Sequence, residues 1–164
     1  MARKRLNYFN NACNYNACNY NACNYNVCNY DRKGISMANK ASVLLAHGSS
    51  DANWLAPFQT LLEHIRSELH DSERVELAYM ELAEPSMEQS ITELVKQGYQ
   101  HVDILPLFFA AGRHLRKDVP NMLEALQQQL QQQGHQVELT LHPPIGLEPE
   151  MASAISQVVV RKLS

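Results

Sequence analysis

Val43-Leu44-Leu45-Ala46-His47-Gly48-Ser49-Ser50-Asp51 is the stretch on which the fold turns. A short unbroken apolar run closed by turn residues reads as a strand buried on both faces, the signature of a parallel sheet. His47 then stands where that strand leaves the sheet. Ligands of open parallel sheets bind just outside the carboxyl ends of the strands. A second run, Val102-Asp103-Ile104-Leu105-Pro106-Leu107-Phe108-Phe109, is followed by a second histidine, His114. Pro106 suits the end of that strand and not its middle, because it has no N–H to give a neighbour.

Outward from these runs, strand and helix patterns alternate. Strands are expected over 42–46, 74–80, 101–107 and 137–141. After the first, Asp51 or Asn53 can cap a helix from about Trp54, whose stripe Leu55, Phe58, Leu62, Ile65 and Leu69 recurs at three and four. Pro85 fits the first turn of a second helix carrying Met87, Ile91, Leu94 and Val95, stopped by Gly98. A loop over 110–117 precedes a third helix, with Asp118 as its cap and Pro120 in its first turn. A fourth, from about Pro149, is expected to bury Met151, Ile155, Val158, Val159 and Leu163. Such alternation predicts an α/β fold: a four-stranded parallel sheet with helices on both faces and right-handed crossovers. Glu81, His114, His142 and His47 all lie at or just past strand ends, and a crossover between the first and third strands would open a crevice there.

At 164 residues the chain has the length of one domain, and 45% hydrophobic with 19% charged residues is a globular composition. No apolar run approaches the roughly 20 residues of a membrane helix. Arg3, Lys4 and Arg5 are not followed by the apolar segment of a signal peptide, so a cytoplasmic location is the default. The net charge of −3 is uneven: residues 1–36 hold five basic residues against one acidic, the remainder nine against sixteen. An acidic domain of this kind argues against broad nucleic-acid binding.

Residues 11–30 read Asn-Ala-Cys-Asn-Tyr three times and then Asn-Val-Cys-Asn-Tyr, and hold all four cysteines, Cys13, Cys18, Cys23 and Cys28. A period of five matches neither helix nor strand, and asparagine-rich low complexity predicts a disordered tail over 1–36 before a domain over 37–164. Four thiolates on a flexible chain could wrap a soft metal, but the spacing is not the paired Cys-x-x-Cys of a zinc site. The near-identical copies instead suggest a translated tandem duplication, with Met37 as the working start.

The edge carries chemistry of a restricted kind. There is no phosphate-binding Gly-x-x-x-x-Gly-Lys-Ser/Thr loop and no Gly-x-Gly-x-x-Gly turn. Nor is there a Gly-x-Ser-x-Gly elbow to activate Ser49 as a hydrolase nucleophile. A phosphohistidine enzyme would want an arginine before His47, where Ala46 stands. Two histidines, a carboxylate and a basic loop (Arg113, Arg116, Lys117) suit divalent-metal handling, since neutral imidazole ligates first-row metals and titrates near pH 7. Metal insertion into a tetrapyrrole needs both a metal holder and an acceptor for the displaced pyrrole protons. Taken singly, each residue has a plainer reading. A histidine after a strand is more often a turn residue than a ligand, Glu84 before Pro85 can be a helix-start charge, and His64, His70, His101 and His135 read as surface.

Leu45-Ala46-His47-Gly48-Ser49, Glu81-Leu82-Ala83-Glu84-Pro85-Ser86, Leu105-Pro106-Leu107-Phe108-Phe109-Ala110-Ala111-Gly112-Arg113-His114 and Asp118-Val119-Pro120 together resemble the small sirohydrochlorin chelatases of the CbiX/SirB group, class II chelatases. The likeness covers about residues 41–150 in order and spacing, and the repeat has no counterpart in it. It implies a chelatase-like fold, half of a flavodoxin-like pair, and ATP-independent insertion of Co2+, Fe2+ or Ni2+ into sirohydrochlorin, towards cobalamin, sirohaem or a nickel tetrapyrrole. The metal is then a substrate, with no permanently bound cofactor. The family's active-site histidines fall on His47 and His114, as metal ligands and proton acceptors, and its acidic motif on Glu81, with Glu84 beside it. Gly48, Ser49 and Arg113 would hold substrate carboxylates. Larger relatives contain two copies of the unit, so a single copy implies a homodimer with facing clefts. The competing reading is a carrier that holds metal or tetrapyrrole without catalysis.

Overall fold

The computed structural model describes residues 39–69 and 73–164, apart from the side chain of His114. The expected tail over 1–36, its cysteine repeat and His70 lie outside the described residues. Four strands form one parallel sheet: β1 (Lys40–Ala46), β2 (Arg74–Tyr79), β3 (His101–Pro106) and β4 (Glu138–Leu141). Their order is β2-β1-β3-β4, so the chain crosses over β1 to reach β3 and the topological switch point falls at the end of β1.

Alternation along the strands sorts the core into two layers. Val43 and Leu45 of β1, with Ala78 and Ile104, pack against helices α2 (Met87–Lys96) and α3 (Val119–Gln132) through Ile91, Leu94, Val119, Leu123, Leu126 and Leu130. Leu44 and Ala46, with Val75, Leu77 and Tyr79, pack on the other face against α1 (Ala52–Glu68) through the buried Leu62 and the half-buried Leu55, Phe58 and Ile65. Each apolar residue of β1 therefore has a helix to face, which is why the run is continuous and not alternating.

Several expectations about boundaries are corrected. The second helix begins at Met87, not at Pro85, because Ser86 closes a capping box: its hydroxyl accepts from Gln89 N (3.2 Å) and Gln89 Oε1 accepts from Ser86 N (2.8 Å). The loop expected over 110–117 is partly helical, with a π-helical turn over His114–Asp118 running directly into α3. Asp118 is consequently helical (φ −77°, ψ −46°) and makes no side-chain capping bond.

The last helix, α4 (Pro149–Leu163), contradicts its expected burial. Met151 is half-buried and Ile155, Val158, Val159 and Leu163 are exposed. α1 covers the β2–β1 side of its sheet face, while α4 packs mainly on the 3-10 turn Ile145–Leu147 that precedes it. None of the residues of the apolar stripe legible in the sequence is buried.

Candidate active site

His47 is the first residue beyond β1, and its position is fixed by main-chain contacts on both sides. Met80 N donates to Ala46 O (2.9 Å), and Leu107 N donates to Leu45 O (2.8 Å), so the exits of β2 and β3 are tied to that of β1. Gly48 follows with φ +74°, a left-handed conformation that disfavours any side chain. A Cβ there would stand 1.9 Å from Glu81 O, so only glycine lets the β1 loop press against the β2 loop. The exposed His47 ring lies on Phe108, centroids 4.3 Å apart and tilted by 38°. Phe108 is buried and so forms a fixed backing for the imidazole. The β4 loop closes the row: Gly146 N donates to Phe108 O (2.9 Å), and a Cβ on Gly146 would stand 2.3 Å from Phe109 Cα.

The expected site residues fare differently in this frame. Glu81 is exposed two residues past β2, its carbonyl against Gly48, so the structure brings it beside the His47 turn. Ser49 Oγ accepts from Asp51 N (3.0 Å), and Asp51 Oδ1 accepts from Asn53 N (2.9 Å) to cap α1. The Ser49 hydroxyl thus shapes the turn while keeping its own proton available for donation. Arg113 is exposed just before the π-helical turn, and His114 is that turn's first residue, at the exit side of β3. π turns widen a helix by one residue and recur at functional sites. Glu84 takes the plainer role: its Oε2 accepts from Ser86 N (3.0 Å) at the start of α2.

His142 follows β4, but its imidazole is engaged away from His47. Nε2 lies 3.2 Å from the carboxylate of Asp103, which also meets Lys40 Nζ at 2.8 Å. By register Asp103 stands opposite Ser42 and Thr140, on the face that α1 half covers. Burial pushes the Asp103 carboxyl up, but the contacts with Lys40 and His142 outweigh it and hold the group below its ordinary value. His101, read as surface, pairs its Nδ1 with Glu138 at 3.2 Å. Among the described residues no three His, Cys, Asp or Glu side chains gather round one point as a closed metal cage.

Sequence reasoning missed the apolar character of this edge. Leu82, Phe109 and Leu147, each in a connection that follows a strand, and Trp54 in the first turn of α1 are exposed. Leu82 is 73% exposed with φ +58°, and Phe109 is 68% exposed. The available signal was Leu82 within Glu81-Leu82-Ala83-Glu84-Pro85, an apolar residue between charged and turn residues. A groove of about 590 Å3 lies at the opposite edge beside His101, His135 and Glu138. A smaller cavity of about 100 Å3 between Tyr79, Met87 and Met122 lies where β2 gives way to α2 and α3.

Comparison with known proteins bears on this edge. The family model described as CbiX matches residues 41–162. A solved CbiX protein from Marinobacter aquaeolei VT8, named for cobalamin (vitamin B12) biosynthesis, is 42% identical, with a TM-score of 0.66 over 76% of this chain and 97% of its own. The sirohydrochlorin cobaltochelatase of Sulfolobus acidocaldarius is 25% identical over 122 residues, 74% of this chain and 91% of the relative. The sirohydrochlorin chelatase SirB from Bacillus subtilis subspecies spizizenii, solved in complex with cobalt, shares the fold at 23% identity and a TM-score of 0.63, over 73% of this chain and 49% of SirB.

Proposed function

Because the chain belongs to the CbiX family, we propose that it is an ATP-independent chelatase that inserts a divalent metal, Co2+ or Fe2+ with Ni2+ as a further candidate, into sirohydrochlorin during cobalamin or sirohaem biosynthesis. The observation that carries this reading is His47: an exposed imidazole, backed by buried Phe108, at the crossover of a parallel sheet, with Glu81 at the next strand exit. Insertion exchanges M2+ for two pyrrole N–H protons, so the reaction is driven by metal–nitrogen bonding and needs no nucleotide. In this scheme His47 and His114 hold the incoming metal, and one of them, as neutral imidazole, accepts a pyrrole proton and passes it to solvent. Glu81 stabilises the positive charge that gathers during the exchange. Gly48 N–H, the Ser49 hydroxyl and Arg113 hold carboxylates at the rim of the macrocycle.

The metal follows supply as much as the site, because imidazole favours the later first-row ions in a fixed order. We propose a cytoplasmic reaction on the family likeness; no helix among the described residues is long and apolar enough to cross a membrane. We assign the working form to a homodimer: the chain corresponds to about half of SirB, and the exposed stripe of α4 offers a second copy an apolar surface. The test is spectroscopic. Purified protein mixed with sirohydrochlorin and Co2+ or Fe2+ is expected to shift the absorption spectrum faster than metal alone, and His47→Ala to lose most of that rate. A wild-type protein that binds both and accelerates nothing would be a carrier and would end the chelatase reading.

A further inference from the structure

The apolar residues at the edge have a pattern that metal handling does not require. In the order β2-β1-β3, Leu82 belongs to the loop on one side of His47 and Phe109 to the loop on the other. Parallel neighbours are about 4.8 Å apart, so these loops leave the sheet about 10 Å from each other with His47 between them. Contacts fix both loops to the histidine turn: Glu81 O against Gly48 on one side, and the His47–Phe108 ring contact on the other.

Leu82 is also conformationally expensive. A leucine at φ +58° lies in the left-handed region, where Cβ crowds the following carbonyl and glycine or asparagine would be favoured. Its side chain is mostly in water, so internal packing does not compensate for that strain. A strained residue with a large exposed apolar side chain beside a catalytic candidate points to a contact made only when ligand is bound.

We propose that Leu82 and Phe109 are two apolar supports that carry one face of the tetrapyrrole macrocycle and centre it over His47. The inference rests on the chelatase reading and adds positioning residues to it. A flat conjugated ring with carboxylates only at its rim offers an apolar face, and two supports astride a histidine would set the ring centre, where metal enters, above the imidazole. Neither residue takes part in proton or metal transfer.

The test uses the full chain and the variants Leu82→Gly, Leu82→Met and Phe109→Ala. Glycine relieves the left-handed strain at 82, so that variant folds. Sirohydrochlorin binding, followed by absorption without metal, is expected to weaken about tenfold in Leu82→Gly and in Phe109→Ala, as loss of one buried apolar side chain implies. KM for sirohydrochlorin rises with it, KM for Co2+ stays within about twofold, and Leu82→Met restores most of the binding. Wild-type sirohydrochlorin affinity in both Leu82→Gly and Phe109→Ala overturns the inference and leaves the chelatase reading intact. A change from dimer to monomer in light scattering with unchanged affinity also overturns it, by assigning the two residues to a subunit contact. Wild-type protein that binds no sirohydrochlorin overturns both readings.

Discussion

Replacing Gly48 with alanine tests how the site is held together. Two separable costs meet at this position. The φ of +74° places any L side chain in the left-handed region, at about 1–2 kcal/mol. The added Cβ would also stand 1.9 Å from Glu81 O and 3.0 Å from Tyr79 Cβ, and since real Cβ contacts begin near 3.0 Å, the two loops must part by roughly 1 Å. Forcing a methyl into a packed seam costs about 1–3 kcal/mol more. The total is about 2–5 kcal/mol. With a urea dependence of about 2 kcal/mol per molar, the unfolding midpoint falls by about 1–2.5 M. Two other glycines separate the terms. Gly98, at φ +97° with open space around it, carries only the conformational cost. Gly146, against Phe109 Cα at 2.3 Å and without a left-handed φ, carries only the clash. Gly48→Ala is therefore expected to exceed Gly98→Ala in urea titrations of the full chain. A Gly48→Ala midpoint no lower than that of Gly98→Ala would refute the close approach of the two loops.

Other expectations follow from single contacts. Ser86→Ala removes the acceptor for Gln89 N and costs about 1 kcal/mol, read as a fall in Tm of about 3 °C by calorimetry. Asp103 has a depressed folded-state pKa, so it contributes stability above the ordinary carboxylate value of 3.8 and loses it as pH falls through the lower folded value. The stability gap between wild type and Asp103→Asn, measured by urea titration at pH 7 and pH 3, should be present at pH 7 and shrink at pH 3; a constant gap would contradict it. Placing aspartates at Ile155 and Val158 of α4 should convert a dimer to a monomer in light scattering, and a monomeric wild type would remove α4 as an interface.

The fold was legible because β1 is buried on both faces. The run from Val43 to Ala46 has no polar residue, and with the strand–helix alternation around it that selects a central parallel strand. The stripes of α1, α2 and α3 were equally readable, since periodicity reports burial. For α4 periodicity reported an apolar face but not what covers it, because the pattern is the same whether the cover is the chain's own sheet or another molecule. The π-helical turn at His114–Asp118 was not legible, since a single extra residue in a helical turn leaves no mark on local composition. His47, Glu81 and the chain position of His114 came from strand ends and from the motif likeness. The unusual backbone of Leu82 did not, because a left-handed leucine leaves no mark on the sequence.

The contacts that seat the cleft, Glu81 O on Gly48 and Phe109 Cα and carbonyl on Gly146, are made by main chain and glycine. Leu82, Phe109 and Leu147 border the same contacts yet leave their side chains in water. If Leu82 and Phe109 carry the macrocycle as proposed, holding the walls and choosing the guest are tasks given to different atoms. Side chains along the rim can drift towards another macrocycle while the walls stay in place, so long as the two glycines are kept. A lineage could retune what it accepts through the exposed positions one at a time, without passing through an unfolded ancestor.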